Sequence, residues 1–256
     1  MKNIIRRILV VFVASILMVP TALAESYSSK ISSIMTDFSL QNIYADSAPQ
    51  QQVNGSYRTV ELLEIIALEK GCSSSEVSSI MTDFSLQNIY ANSAPQQFVN
   101  GTYRTVELLE LIALKIGCSS TEVSSIMTDF TLQNIYTDSA VQQAVNGTYR
   151  TVELLELIAR KIGCSSTEVS SIMTDFTLQN IYADSAPQQQ VNGTYRTVEL
   201  LELIALKIGC SSTEVSSITT DFTLQNIYAN SAVQQAVNGT YRTVELLELI
   251  ARKWDK

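Results

Sequence analysis

Thr151-Val152-Glu153-Leu154-Leu155-Glu156-Leu157-Ile158-Ala159-Arg160-Lys161-Ile162-Gly163-Cys164-Ser165 decides how this chain folds. At 100° per residue, Glu153, Glu156 and Arg160 share one narrow stripe, and nearly everything else before Gly163 except Lys161 is apolar. Such a helix must be buried on most sides. Thr151 stands at its start as a cap, and Glu153 sits near the positive end of the helix dipole. Its residues span about 20 Å at 1.5 Å each. A helix this apolar cannot stand alone, so it is expected to be the inner helix of a packed array.

The same pattern occurs one copy upstream, where Gly117-Cys118-Ser119-Ser120-Thr121-Glu122 reads as a stop followed by a start. Gly117 can take the left-handed conformation that ends a helix, with Cys118 packing back on the last turn. Ser119 and Glu122 have the spacing of a capping box. A helix is therefore expected from about residue 120 to 137. Val123, Ile126, Met127 and Phe130 share one face, while Leu132, Ile135 and Tyr136 fall nearly opposite. Residues 131–136 are either the continuation of that helix, which we favour, or extended.

Between these helices lies Asp138-Ser139-Ala140-Val141-Gln142-Gln143-Ala144-Val145-Asn146-Gly147. Asn-Gly between short segments is a hairpin signal. Ser139 is a good N-cap, however, and Pro49, Pro95 and Pro187 occupy the Val141 site in other copies, where a first helical turn tolerates proline. A two-turn helix stopped by Asn146-Gly147 fits better than a strand. One unit then holds three helices.

That unit recurs with a 46-residue period: Tyr57-Arg58-Thr59-Val60-Glu61 returns at Tyr103, Tyr149, Tyr195 and Tyr241. The five copies cover about 26–71, 72–117, 118–163, 164–209 and 210–255. The expectation is an all-α protein of tandem helical repeats, stacked as an α-solenoid-like array. The unit is similar to armadillo and HEAT-like repeats in period and helix count only. Ser26 replaces the Cys of later copies and Trp254 replaces their Ile, which suits capping roles at the array ends.

Residues 1–24 read as a signal peptide: basic Lys2, Arg6 and Arg7, an apolar run from Ile8 to Val19, and Ala22-Leu23-Ala24 as a cleavage site. The signal looks bacterial, so periplasm, cell surface or medium is the expected location, with no stable membrane span after cleavage. Loss of three basic residues moves the net charge from −8 to −11. An acidic exported chain does not suit nucleic acid. Val106 to Met127 resembles a DNA-binding helix-turn-helix, but Ser119–Met127 carries no Arg or Lys to meet phosphate.

The chain has no His and four Cys, at 72, 118, 164 and 210. Equivalent positions in stacked helices lie roughly 8–10 Å apart, beyond the ~7 Å reach of a disulfide, so buried unpaired thiols are expected. No catalytic constellation, cofactor site or metal site is expected. The Asn-Gly-Ser/Thr sequons at Asn54, Asn100, Asn146, Asn192 and Asn238 are expected to be bare helix stops. Copies differ at Gln52, Phe98, Ala144, Gln190 and Ala236, a site expected to be partly exposed, and at Leu68, Leu114, Arg160, Leu206 and Arg252. Arg160 can pair with Glu156, and Arg252 with Glu248, as helical i,i+4 ion pairs. Glu107, Glu110, Leu114, Phe98 and Arg160 form the candidate partner-contact surface. The expected role is an exported, non-catalytic binding or scaffold module for a protein or cell-surface partner. Self-assembly into a surface filament is the alternative, and an enzyme the remote one.

Overall fold

The computed structural model describes residues 48–83, 94–129, 140–175, 186–221 and 232–254. Backbone contacts divide the chain into Met1–Asp37 and Phe38–Lys256, and every described element belongs to the second unit. The described elements are all helices. Five are long, of 22 residues: α1 (Ala48–Glu69), α3 (Ala94–Lys115), α5 (Ala140–Lys161), α7 (Ala186–Lys207) and α9 (Ala232–Lys253). Four are short, of 10 residues: α2 (Ser74–Asp83), α4 (Ser120–Asp129), α6 (Ser166–Asp175) and α8 (Ser212–Asp221).

The stop and start between long and short helices form as their residues require. Gly117 has φ +98°. Cys118 N–H donates to Ala113 C=O at 2.9 Å, which satisfies a carbonyl left open at the helix end. Ser119 N–H donates to Glu122 Oε2 at 2.6 Å, and Glu122 N–H donates to Ser119 Oγ at 3.1 Å. The box recurs at Ser73, Ser165 and Ser211. The expected extension of this helix from residue 130 to 137, the 131–136 alternative, Ser26 and the signal segment all lie outside the described residues.

Among the described residues, the expected division into a short helix and a buried helix does not hold. The short helix and the buried helix are one continuous element, and Asn146-Gly147 lies in its middle. The glycine is there because of its neighbour. A Cβ on Gly147 would stand 2.5 Å from Thr102 Cγ2, and one on Gly193 would stand 2.6 Å from Thr148 Cγ2. The helices approach too closely at this level for any side chain, which offsets the propensity cost of a mid-helix glycine, about 1 kcal/mol. Thr151 is likewise no cap. Its hydroxyl donates to Gly147 C=O at 3.0 Å inside the helix.

The arrangement of the long helices also differs from an open stack. Each packs on the long helix before and after it, and α9 returns to pack on α1. The contacts repeat at one level: Gly147 on Thr102, Gly193 on Thr148, and Gly55 on Thr240 across the closure. The long helices therefore run parallel and close into a ring. Positions 56, 59, 63 and 66 and their equivalents point at the axis, spaced 3, 4 and 3 as in a coiled-coil seam, and Trp254 joins the same lining. The short helices pack outside, each against the long helices that precede and follow it. Lys115 Nζ on Glu76 at 3.2 Å ties down α2, and Lys253 Nζ on Glu214 at 3.3 Å ties down α8.

Trp254 does not cap a free array end. Lys70 Nζ donates to Trp254 C=O at 2.7 Å and lies 4.7 Å from the centre of its ring, so the two ends of the array meet at the closure.

Candidate functional site

Three features of the ring could carry function: a belt of ion pairs, the axial interior and the outer surface. The belt consists of Arg58, Arg104, Arg150, Arg196 and Arg242, all fully buried. Each reaches the preceding long helix in ring order. Arg104 Nη2 donates to Glu64 Oε1 at 2.7 Å, Arg150 to Glu110 at 2.5 Å and Arg196 to Glu156 at 2.6 Å. Arg242 pairs with Glu202, and Arg58 closes the belt on Glu248 at 2.5 Å. A guanidinium tolerates such burial because its charge is delocalised and its donors are directional. The belt orders the ring, since every contact between adjacent long helices carries the same pair. Burial pushes the Glu64, Glu110 and Glu202 carboxyls above the usual range, against the pull of their arginines.

The axial interior has two zones. Ser56, Thr102, Thr148, Thr194 and Thr240 form one level, and Thr59, Thr105, Thr151, Thr197 and Thr243 the next. With Phe98 they line a chamber of about 70 Å³. Toward the helix C-termini, one level of leucines (Leu63, Leu109, Leu155, Leu201, Leu247) and one of isoleucines (Ile66, Ile112, Ile158, Ile204, Ile250) leave about 10 Å³, with Trp254 in the same lining. A void that small is at the lower limit for one water. The axis is therefore plugged on the C-terminal side.

The five candidate surface residues are not brought together. Leu114 is 42% exposed on the outer face, as are its equivalents Leu68 and Leu206. Arg160 occupies the same position in α5, half exposed, and donates to Glu156 Oε2 at 3.2 Å. The expected partner pair in α9, Arg252 with Glu248, stands at 3.6 Å. Glu107 is partly buried, and Glu110 turns toward Arg150. Phe98 lies in the axial chamber, packed near Val99, Tyr103 and Ala144. The expected partial exposure of its site holds for Phe98 and Gln190 but not for Gln52, Ala144 and Ala236, which are buried because this position continues the inward seam.

The cysteines are free and buried, and burial pushes all four thiols up, which disfavours the nucleophilic thiolate. The five sequon asparagines are buried within helices, where a glycan has no room. Among the described residues, no cluster of three His, Cys, Asp or Glu could hold a metal, and no helix is long and apolar enough to cross a membrane.

The belt arginines and the inward threonines escape a reading by local rules. The 3–4 spacing of Thr102, Thr105, Leu109 and Ile112 was the available signal, hidden once the helix is cut at Asn-Gly. Comparison with protein families, curated proteins and solved structures finds no match for this chain.

Proposed function

We propose that this chain is an exported, non-catalytic binding or scaffold module that presents one outer surface five times around a ring. The observation that carries this reading is the closure of α9 on α1 through the same Arg–Glu contact used inside the array. Five tandem 46-residue units so joined hold five equivalent faces at one level, and linked weak sites on a single partner surface reinforce one another. The solenoid-like stacking expected from the period becomes, in this reading, a closed stack. The partner is a protein or a cell-surface component outside the cytoplasm, in keeping with the signal-like residues 1–24. Closure also weighs against a filament growing head to tail, since both array ends are consumed at the seam.

The exposed Leu68, Leu114 and Leu206, set beside Arg160 and Arg252 at the same position, make the test practical. Arg is already compatible with the site, so Leu→Arg changes leave the ring folded. Host envelope or culture-medium components are passed over immobilised full chain carrying none, one, two or three of these changes. Retention of a specific component should fall steeply with each change. Retention unaffected by all three would overturn this surface as the contact, and loss of all specific retention by the unaltered chain would overturn the binding role.

A further inference from the structure

The hydroxyls lining the axial chamber are not equivalent. Nine belong to threonines, and all nine donate back to a carbonyl four residues earlier in their own helix. On the first level the acceptors are Phe98, Ala144, Gln190 and Ala236 for Thr102, Thr148, Thr194 and Thr240. On the second they are Gly55, Gly101, Gly147, Gly193 and Gly239. Their protons are committed, so each oxygen has only lone pairs left to offer. A hydroxyl that donates also becomes a better acceptor. The tenth hydroxyl, Ser56, is 7% exposed, lines the same chamber and makes no hydrogen bond among the described residues.

We propose that the threonine chamber binds a monovalent metal cation, potassium-sized, together with part of its water shell. The lining supplies neutral hydroxyl oxygens as its polar groups, with the Phe98 ring and threonine methyls making up the rest of the wall; neutral oxygens are the kind of ligand that replaces the hydration shell of such ions. No carboxylate lines it, which disfavours calcium and magnesium. No lining residue is basic and nearly every donor is committed, so an anion finds no partner. The chamber of about 70 Å³ holds a few water-sized bodies at 10–15 Å³ or more apiece, enough for one ion and several waters. Ser56, with an uncommitted hydroxyl, holds one of those waters. The net charge of −8 raises the local concentration of cations. The leucine and isoleucine levels close one side, so this is a blind site and not a conduit.

Crystals of the full chain soaked in rubidium chloride and measured for anomalous scattering give the direct test. A rubidium peak on the axis between the two threonine levels is expected. In solution, the thermal midpoint should be higher in potassium or rubidium chloride than in choline chloride at equal ionic strength. Threonines 105, 151 and 197 changed together to valine keep the shape and remove three oxygens, and should weaken rubidium binding at least about tenfold. Ser56→Thr, which copies the other four repeats at that level, leaves the hydroxyl oxygens and should retain the rubidium peak, and it serves as the folded control if the valine variant fails to fold. Water alone on the axis in rubidium-soaked crystals, or xenon entering the chamber while rubidium does not, would overturn the proposal.

Discussion

At the residue scale, two kinds of side chain govern the ring, and each gives a prediction. Gly147 faces the Thr102 methyl so closely that an added Cβ would stand 2.5 Å from it, whereas Gly101 faces Ser56, whose Cβ would be 3.0 Å away. Helix propensity alone favours alanine at both by about 1 kcal/mol, while overpacking costs about 1–3 kcal/mol. Gly147→Ala should therefore destabilise, and Gly101→Ala should cost about 1 kcal/mol less, with Thr102→Ser restoring most of the Gly147→Ala loss in urea unfolding. Equal effects at the two glycines would disprove the steric account. Partly buried carboxylates of the belt and the capping glutamates contribute to pH dependence. Glu64, Glu110 and Glu202 are raised by burial, so the stability they contribute is full below the ordinary value of 4.5 and is lost as pH rises through their raised values. Glu76, Glu122, Glu168 and Glu214 are lowered, first by the backbone N–H of their capping serines, so their contribution is present above 4.5 and lost as pH falls through the lowered values. On acidification from neutrality the urea midpoint should first rise and then fall. Glu110→Gln alone should reduce the rise; a wild-type midpoint that only declines from pH 7 would contradict the assignment.

At the scale of single elements, what could be read locally was read, and what depended on a distant neighbour was not. Gly117, Cys118, Ser119 and Glu122 specify their stop and start within six residues, because the φ of +98° and the reciprocal bonds all lie inside that span. The Glu156–Arg160 pair is local for the same reason. Asn146-Gly147 carries every mark of a helix end and is not one, since the reason for Gly147 is Thr102, 45 residues earlier in the chain. Arg150 looks like any surface arginine until Glu110 of the neighbouring long helix is placed beside it. The capping boxes give a prediction at this scale. Ser119→Ala removes the oxygen that accepts from Glu122 N–H and should cost about 1 kcal/mol. Its effect should be confined to α4, so amide exchange should quicken there while α5 stays protected. Uniform loss of protection across α4 and α5 would show that the short helix is part of the same cooperative unit as the ring.

At the scale of the whole molecule, the decisive question is whether the first and last repeats touch. An open array and a closed ring share every contact between sequence neighbours and differ only at the seam, where Arg58 meets Glu248 and Lys70 meets Trp254. In an open array Arg58 would be an end residue facing solvent, and its loss would cost almost nothing. In the ring it is as buried as Arg150, both being fully inaccessible. Removing one partner of a buried pair leaves the other charge uncompensated and costs about 3–5 kcal/mol. Glu248 retains Arg252 at 3.6 Å, whereas Glu110 has Leu114 at the corresponding position, so the seam is cushioned on the carboxylate side. Arg58→Ala should therefore destabilise substantially, though somewhat less than Arg150→Ala. Trp254 is the single tryptophan, so its emission reports the seam directly. In the Arg58→Ala protein the tryptophan signal should shift at lower urea than the helical circular dichroism, as the seam opens before the ring dissolves. Coincident transitions with unchanged stability would mean that the array is open and that the five faces are not held around one axis.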